Sequence, residues 1–294
     1  MKTGTIFDKF KKQIFWNKYF YVFILGKKGL IMKYYKKNHG YTYNFNNPIT
    51  FTEKINTRKL DKNPMFVKCA DKINVRNYVR DKVGDKYLIS CIFTAKKLTD
   101  DLYDSMPNSC VLKTASGSGT VKIIFDKTKE DKKYIINLMK EYQKIDFAYL
   151  FGEFFYKKIK NNIICEELLL DDNGVVPRDY KIHCFKNDGK PKYFVQIEFD
   201  RFGDHRRNIY DSDFNLLDLT TGLKQYSGKV TKPKKWNEML WVAQKLSEDF
   251  DYVRVDLYYV NNKIYFGELT FTHNAGFSHF NPDSFNKLWG SYWK

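Results

Sequence analysis

Residues Tyr252–Phe277 read YVRVDLYYVNNKIYFGELTFTHNAGF, two alternating runs that meet at Asn261-Asn262-Lys263. Side chains alternate along a strand, so Arg254, Asp256 and Tyr258 point one way and Val253, Val255, Leu257 and Tyr259 the other. In the return run Ile264, Phe266, Glu268 and Thr270 share one face, and Tyr265, Gly267, Leu269 and Phe271 its opposite. Pairing Val260 with Ile264 across a three-residue turn sets Asp256 opposite Glu268 and Arg254 opposite Thr270. A two-residue turn would put the carboxylates on opposite faces, so the longer turn is expected. Like charges about 5 Å apart repel, and a half-buried hairpin that carries them asks for a cation. Magnesium is economical, since one or two carboxylates hold it while phosphate oxygens and water complete its octahedron. The competing reading is a surface hairpin whose acids are separately solvated or paired with Arg254 and a lysine.

Working outward, 294 residues suit one large domain or a few coupled subdomains with a sizeable core. A composition 43% hydrophobic and 18% aromatic excludes disorder. No apolar run approaches the ~20 residues that span a bilayer, and no leader pattern opens the chain, so a soluble, cytoplasmic protein is expected. Cys69, Cys91, Cys110, Cys165 and Cys184 are scattered and odd in number, which argues against a disulfide framework or a zinc site and for buried thiols. A formal charge of +17 points to an anionic partner. Ten lysines face the single acid Asp8 within residues 1–40, interleaved with aromatics. They form either a helix lying on the inner face of a membrane or the first helices of the fold with a solvated basic face.

Further motifs lie between these ends. In NPITFTEKINTRK (Asn47–Lys59) a Pro-marked turn precedes a Thr and Glu-Lys helix start, and Ala70–Val83 reads as one amphipathic helix with Asp71 and Lys72 at its N-terminal end. A lysine there opposes the helix dipole, so Lys72 points to solvent or holds an anion. Cys110–Lys113 is a short strand leading into TASGSGT, a Ser/Gly loop able to close over phosphates or to serve as a flexible turn. Glu130–Tyr142 is expected to be a helix on this small subdomain. Ile163–Leu170 reads as a buried strand with two acids, Glu166 and Glu167, facing opposite ways. Asp179–Phe185 and Pro191–Phe199 form a hairpin, followed by Arg201, Arg206 and Arg207, and Lys235–Phe250 is a core helix. His39, His205 and His279 read as surface residues. His183 lies in a strand and His273 in a loop after the opening hairpin, and no Ser-His-Asp or Cys-His constellation can be assembled.

NPITFTEK, ADKINVRNYV, VLKTASGSG, EELL, DYK, RRN, VRVDLY, GELTFTHNAGF and the terminal Leu288-Trp289-Gly290 stand in the order and spacing of an ATP-grasp enzyme. From about Tyr41 onward the chain resembles most closely the TupA-like branch of that superfamily, which is associated with teichuronopeptide and other bacterial surface-polysaccharide loci. The resemblance implies an α+β ATP-grasp fold with a mobile, small, β-rich lid and a helical, basic N-terminal segment. Its parts would be an N-terminal and pre-ATP-grasp region at 1–95, a lid at 96–165 and a core with the metal site at 166–294.

It also implies roles. Lys72 and Lys113 match the lysines that contact nucleotide phosphates, and Thr114–Gly119, including Ser116, Gly117 and Ser118, the flap over them. Glu166, Glu167, Leu168 and Leu169 match the hinge whose backbone meets adenine, and Asp256 and Glu268 the magnesium-binding carboxylates. Where many relatives have an Asn ligand two residues past the Glu, this chain has Thr270, with Asn274 as a substitute. Lys181, Arg206 and Arg207 match positions facing the transferred phosphoryl group. The implied activity is an ATP- and Mg²⁺-dependent carboxylate–amine ligase acting through an acyl phosphate in capsule or cell-surface glycan synthesis, joining an amino acid or amine to a carboxylated sugar. A glycosyltransferase or sugar kinase of such a locus is the second enzyme reading. Asp211-Ser212-Asp213, which has the spacing of a sugar-nucleotide site, lies in a loop. A basic nucleic-acid or membrane-surface binding protein is the non-enzyme reading, although no nucleic-acid partner is expected. On charge repulsion alone, Asp256→Asn and Glu268→Gln should leave folding little changed.

Overall fold

The computed structural model describes residues 4–200 and 203–294, the side chains of residues 4–20 excepted. Arg201 and the side chains of the first five N-terminal lysines therefore fall outside what is described. Helix α1 (Gly4–His39) is two helices joined at Gly26, whose φ of 66° breaks the α geometry. Its second half buries Leu30 and Ile31 against Ala148 and Phe154, so this half is an integral layer of the fold. Among the described residues no helix is long and apolar enough to cross a membrane.

Helix α2 (Phe51–Arg58) starts where Thr50 and Glu53 cap each other, a reciprocal satisfaction of two otherwise unpaired N–H groups. Helices α3 (Pro64–Ala70) and α4 (Val75–Val83) are separate, in place of the single helix expected over Ala70–Val83. Asp71 separates them, because its carboxylate accepts from the backbone N–H groups of Ile73 (2.8 Å) and Asn74 (3.2 Å) and forms a turn.

Two antiparallel sheets follow. The small one has the order β1 (Cys91–Ala95), β4 (Ile163–Glu166), β2 (Cys110–Thr114), β3 (Val121–Ile124). Its apolar face packs on α5 (Asp100–Ser105) and α6 (Lys132–Gln143) through Leu112, Ile124, Ile135, Met139 and Ile163. This sheet starts at Cys91, ahead of the lid boundary expected at 96, and the short helix α7 (Phe147–Phe151) lies between α6 and β4. The large sheet runs β7 (Arg206–Tyr210), β6 (Lys192–Phe199), β5 (Asp179–Phe185), β8 (Tyr252–Val260), β9 (Lys263–Thr270). One of its faces buries Ile182, Val195, Val253, Val255 and Leu257 against α3, α4 and α8 (Trp236–Ser247). The chain closes with α9 (Ser284–Tyr292), where Asn286 accepts from the Thr52 N–H (3.1 Å) and ties α9 to α2.

The β8–β9 hairpin pairs Asp256 with Glu268 and Arg254 with Thr270, as the alternation predicts. The route differs. Val260 pairs with Lys263 across a two-residue turn in which Asn261 and Asn262 both take positive φ (49° and 57°), and a bulge between Asp256 and Leu257 restores the parity. The extra residue is Gly267. A Cβ there would stand 3.1 Å from the Asp256 carbonyl oxygen and 3.2 Å from the Tyr258 ring, so the bulge fits glycine. Ile264 and Phe266 consequently lie on the core face with Leu257 and Tyr259, while Glu268 and Thr270 cross to the opposite face.

Candidate active site

The face of the large sheet turned away from α8 forms the floor of a cavity of about 310 Å³. Strands β5 to β9 contribute Lys181, Gln196, Glu198, Arg207, Arg254, Glu268 and Thr270 to it. Gly117 and Ser118 of the loop between β2 and β3 form one wall, and Glu153, Tyr156, Asn274 and Phe277 another. Successive residues of a strand face opposite ways, which lets Arg207 enter and turns Arg206 outward to an exposed pair with Asp204. Of the arginine pair in RRN, Arg207 alone lines the cavity.

Arg254 is the centre of the charge arrangement. Its Nε and Nη2 donate to the two oxygens of Asp256 (2.6 and 2.7 Å), Nη2 also to Glu268 Oε1 (2.8 Å), and Nη1 lies 2.8 Å from His273 Nδ1. Lys181 Nζ donates to Asp256 Oδ2 (2.6 Å). The two facing carboxylates are thus bridged by Arg254 and a lysine, as in the competing reading, but at a buried site and not on a surface hairpin, so their repulsion does not by itself require a metal. Burial works against the Arg254 charge, but Asp256 and Glu268 more than offset it and raise its pKa. Burial first, and then the cations nearby, hold His183 and His273 well below the usual imidazole range, so both rings are neutral.

A second network lies on β6 and β7. Glu198 accepts from Arg207 Nε (3.0 Å) and Gln196 (2.5 Å) through Oε1, and pairs with His205 Nε2 (2.6 Å) through Oε2. Burial pushes the Glu198 carboxyl up, but Arg207 and these hydrogen bonds prevail and hold it below the usual carboxylate value. His205 is therefore a site residue and not a surface one. His39 is likewise half-buried, with Nε2 2.9 Å from the Gly276 carbonyl oxygen. Glu153, buried beside Thr272, has its carboxyl pushed up to about 7 by desolvation. Apart from Arg207 of RRN, none of these residues belongs to a motif that marks it in the sequence. The one detectable signal is the placement of Gln196, Glu198 and Arg207 at alternating positions of paired strands.

The residues that the resemblance matches to nucleotide contacts gather next to this cavity. Lys72 Nζ donates to the Gly117 carbonyl oxygen (2.5 Å) and its N–H to that of Ala115 (3.0 Å). Burial lowers the Lys72 pKa, opposed by Glu268 and reinforced by Lys113. Lys113 Nζ donates to Glu166 Oε2 (2.7 Å) and Arg76 to Glu166 Oε1 (3.0 Å). Glu166 is buried, while Glu167 is exposed and donates its N–H to Ser90 (3.0 Å). Leu168 and Leu169 follow without regular structure, so the strand expected to reach Leu170 ends at Glu166. In the loop, Ser116 N–H and Oγ donate to Asn161 Oδ1 (3.3 and 2.9 Å), and Gly117 and Gly119 take φ of 77° and 74°.

A family model described as TupA-like ATPgrasp matches residues 52–294. The chain belongs to the TupA-like ATP-grasp family. Its α+β architecture, with a small sheet beside a large one, is the ATP-grasp fold. Among solved structures it is similar to the D-alanine–D-alanine ligase from Helicobacter pylori (12% identity, 71% of this chain and 55% of that chain, TM-score 0.42). It is also similar to the D-alanine–D-alanine ligase from Bacillus anthracis (16% identity, 69% and 56%, TM-score 0.39). A third is the phosphoribosylamine–glycine ligase from Thermotoga maritima (11% identity, 73% and 52%, TM-score 0.43). This chain spans about half the length of those enzymes. No curated protein matches the sequence significantly.

Among the described residues no three His, Cys, Asp or Glu side chains gather as a metal cluster. A magnesium ion does not need three, since it is usually held by one or two carboxylates with substrate phosphates. Glu268 fits that pattern, because Oε1 is used by Arg254 and Thr270 while Oε2 has no partner among the described residues and the side chain is 31% exposed at the cavity. Asp256 is 2% exposed and already holds Arg254 and Lys181, so a metal there competes with Lys181. Thr270 donates to Glu268 (2.9 Å), and Asn274 lines the cavity with its amide donating to Ser278 (3.3 Å).

Proposed function

We propose that this protein is an ATP-dependent carboxylate–amine ligase that forms an amide through an acyl phosphate, with a carboxylated sugar and an amine or amino acid of bacterial surface-polysaccharide synthesis as its substrates. The observation that carries the reading is the cavity in which Lys181, Arg207 and Arg254 face one space above the paired Asp256 and Glu268. Such an arrangement supplies charge neutralisation and no side-chain nucleophile, which is what phosphoryl transfer to a carboxylate needs.

In this reading Lys72 and Lys113 bind the phosphate tail and the Ser116–Gly119 loop closes over it with backbone N–H groups. The Glu166–Leu169 segment receives the base. Lys181, Arg207 and Arg254 hold the transferring group, and Arg206, turned outward, is left out. Asp256 and Glu268, with Thr270 and Asn274, would hold magnesium. When bound, that ion withdraws charge from phosphate oxygens. The γ-phosphoryl bond to ADP breaks as a carboxylate oxygen of the substrate takes the phosphorus. The amine nitrogen then attacks the acyl carbon, inorganic phosphate leaves and the nitrogen loses a proton.

Incubation with ATP, magnesium, hydroxylamine and a panel of free and nucleotide-linked uronic acids tests this. The expected products are a hydroxamate and an equal amount of ADP. Appearance of AMP overturns the acyl-phosphate route. A stable phosphorylated sugar with ADP replaces the ligase by a kinase, and cleavage of a nucleotide sugar without ATP replaces it by a glycosyltransferase.

A further inference from the structure

A second cavity, of about 450 Å³, lies on the small sheet and shares no lining residue with the site just described. It is lined by Lys96, Lys97, Leu98, Ile136, Lys140, Gln143, Lys144 and Asn161, four lysines and no acid. Lys144 is paired with Glu141 on its own helix, while Lys96, Lys97 and Lys140 are exposed and have no ion pair among the described residues. The dipole of α6 accounts for cations at its C-terminal end, and so for Lys140 and Lys144. It does not account for Lys96 and Lys97, which arrive from the end of β1 and add their charge to the same hollow.

The concavity is held open by a polar brace. Gln143 Nε2 donates to the carbonyl oxygens of Lys96 (2.9 Å) and Asn161 (2.6 Å), and Asn161 Nδ2 to that of Gln143 (3.0 Å). These bonds fix the ends of β1, α6 and β4 relative to one another, so the lysine stems rise from a fixed rim. The floor is Leu98 and Ile136, aliphatic and without an aromatic ring. That composition matters for the ligand. Single-stranded nucleic acid is held by stacking its bases on aromatic side chains, and nothing here provides a platform. A membrane surface meets convex basic faces, not a braced hollow. A saturated sugar ring fits an aliphatic floor, and its carboxylates or phosphates fit the lysine rim.

We propose that this cavity is a binding site for an anionic glycan bearing carboxylate or phosphate groups along its chain. The site stands apart from the ATP-side cavity and does not depend on the ligase reading. It is one side chain from the phosphate-side loop, because Asn161, which lines it, accepts both hydrogen bonds from Ser116. A polymer seated here would lie beside that loop.

The test uses the full chain and two probes, a short oligogalacturonate for carboxylates and an oligomer of glycerol phosphate for phosphates, in titrations by calorimetry at low and physiological salt. The variant Lys96→Ala/Lys97→Ala/Lys140→Ala removes three exposed charges. The control, Lys229→Ala/Lys232→Ala/Lys234→Ala, removes three exposed charges elsewhere. The wild type and the control should bind at least one probe saturably and equally, and the cavity variant about tenfold more weakly, the change that three exposed ion pairs carry together. Which probe binds assigns carboxylate or phosphate. Equal loss in both variants, or no saturable binding of either probe by the wild type, overturns the site. Tighter, cavity-dependent binding of oligo-deoxythymidine overturns the glycan as its ligand.

Discussion

Replacing Asp256 by Asn separates the fold's use of this carboxylate from any use on a metal. Asp256 is 2% exposed and Arg254 8%, and the aspartate receives the fork of Arg254 at 2.6 and 2.7 Å together with Lys181 at 2.6 Å. The amide of Asn keeps the shape but removes the charge, and half of its polar surface becomes a donor facing two cations. Breaking one partner of a buried ion pair costs about 3–5 kcal/mol. Glu268 still holds Arg254 at 2.8 Å, so the lower end, ~3 kcal/mol, applies here. At the usual ~2–4 °C per kcal/mol for a chain of this class, Tm should fall by about 6–12 °C. Glu268→Gln, at a side chain 31% exposed and with Asp256 still neutralising Arg254, should lose less than about 1 kcal/mol. These magnitudes differ from the expectation from repulsion alone, in which both variants fold with little loss. Urea unfolding followed by fluorescence of the buried Trp236, Trp289 and Trp293 measures both. Equal stability of Asp256→Asn and wild type would refute the reasoning, as would an equal loss in both variants. Replacing Arg254 by Met in the Asp256→Asn background should recover part of the loss, because no uncompensated guanidinium remains.

Gly117→Ala should destabilise by more than about 2 kcal/mol, since φ is 77° and a new Cβ would stand 2.0 Å from the Phe147 ring; Gly119→Ala, at φ 74° in open space, should cost about 1 kcal/mol, and thermal melts compare the two. Lys113→Ala should weaken ATP binding measured by calorimetry while costing only ~1 kcal/mol of stability, because Arg76 continues to neutralise Glu166. Glu198 has a carboxyl pKa depressed in the folded state, so its contribution is present above the ordinary carboxylate value of ~4.3 and is lost as pH falls through the folded value. Glu198→Gln should therefore lower stability at neutral pH and flatten its fall below about pH 4 in pH-dependent denaturation, and a parallel downward shift at all pH values would count against this linkage.

Much of the molecule is legible in its amino-acid sequence. Alternation in YVRVDLYYV and KIYFGELT specifies two strands with split faces, since the side-chain period of a strand is two. Parity pairs Asp256 with Glu268 correctly, although the turn is one residue shorter than parity alone requires. Asn261-Asn262 favours the tight two-residue turn through local φ preferences, and the parity is recovered further along by a bulge at Gly267, where the approach of the Asp256 carbonyl leaves room for glycine. Order and spacing of short motifs identify the family. Strand alternation implies that Arg206 and Arg207 cannot share a face, but which one enters the cavity depends on how β7 pairs with β6.

Tertiary structure decides the partners. Lys181 and Asp256 are 75 residues apart and Lys113 and Glu166 are 53 apart, so neither pair leaves a mark in local spacing. Charge repulsion along one hairpin calls for a metal, because a single hairpin does not contain the lysine of β5 that neutralises it. The same holds for Glu198, Arg207 and His205, and for the lysines that β1 and α6 bring to one hollow. Periodicity and turn chemistry act over a few residues and are written in sequence. Electrostatic compensation acts between whichever faces pack together, and only the assembled sheets determine that.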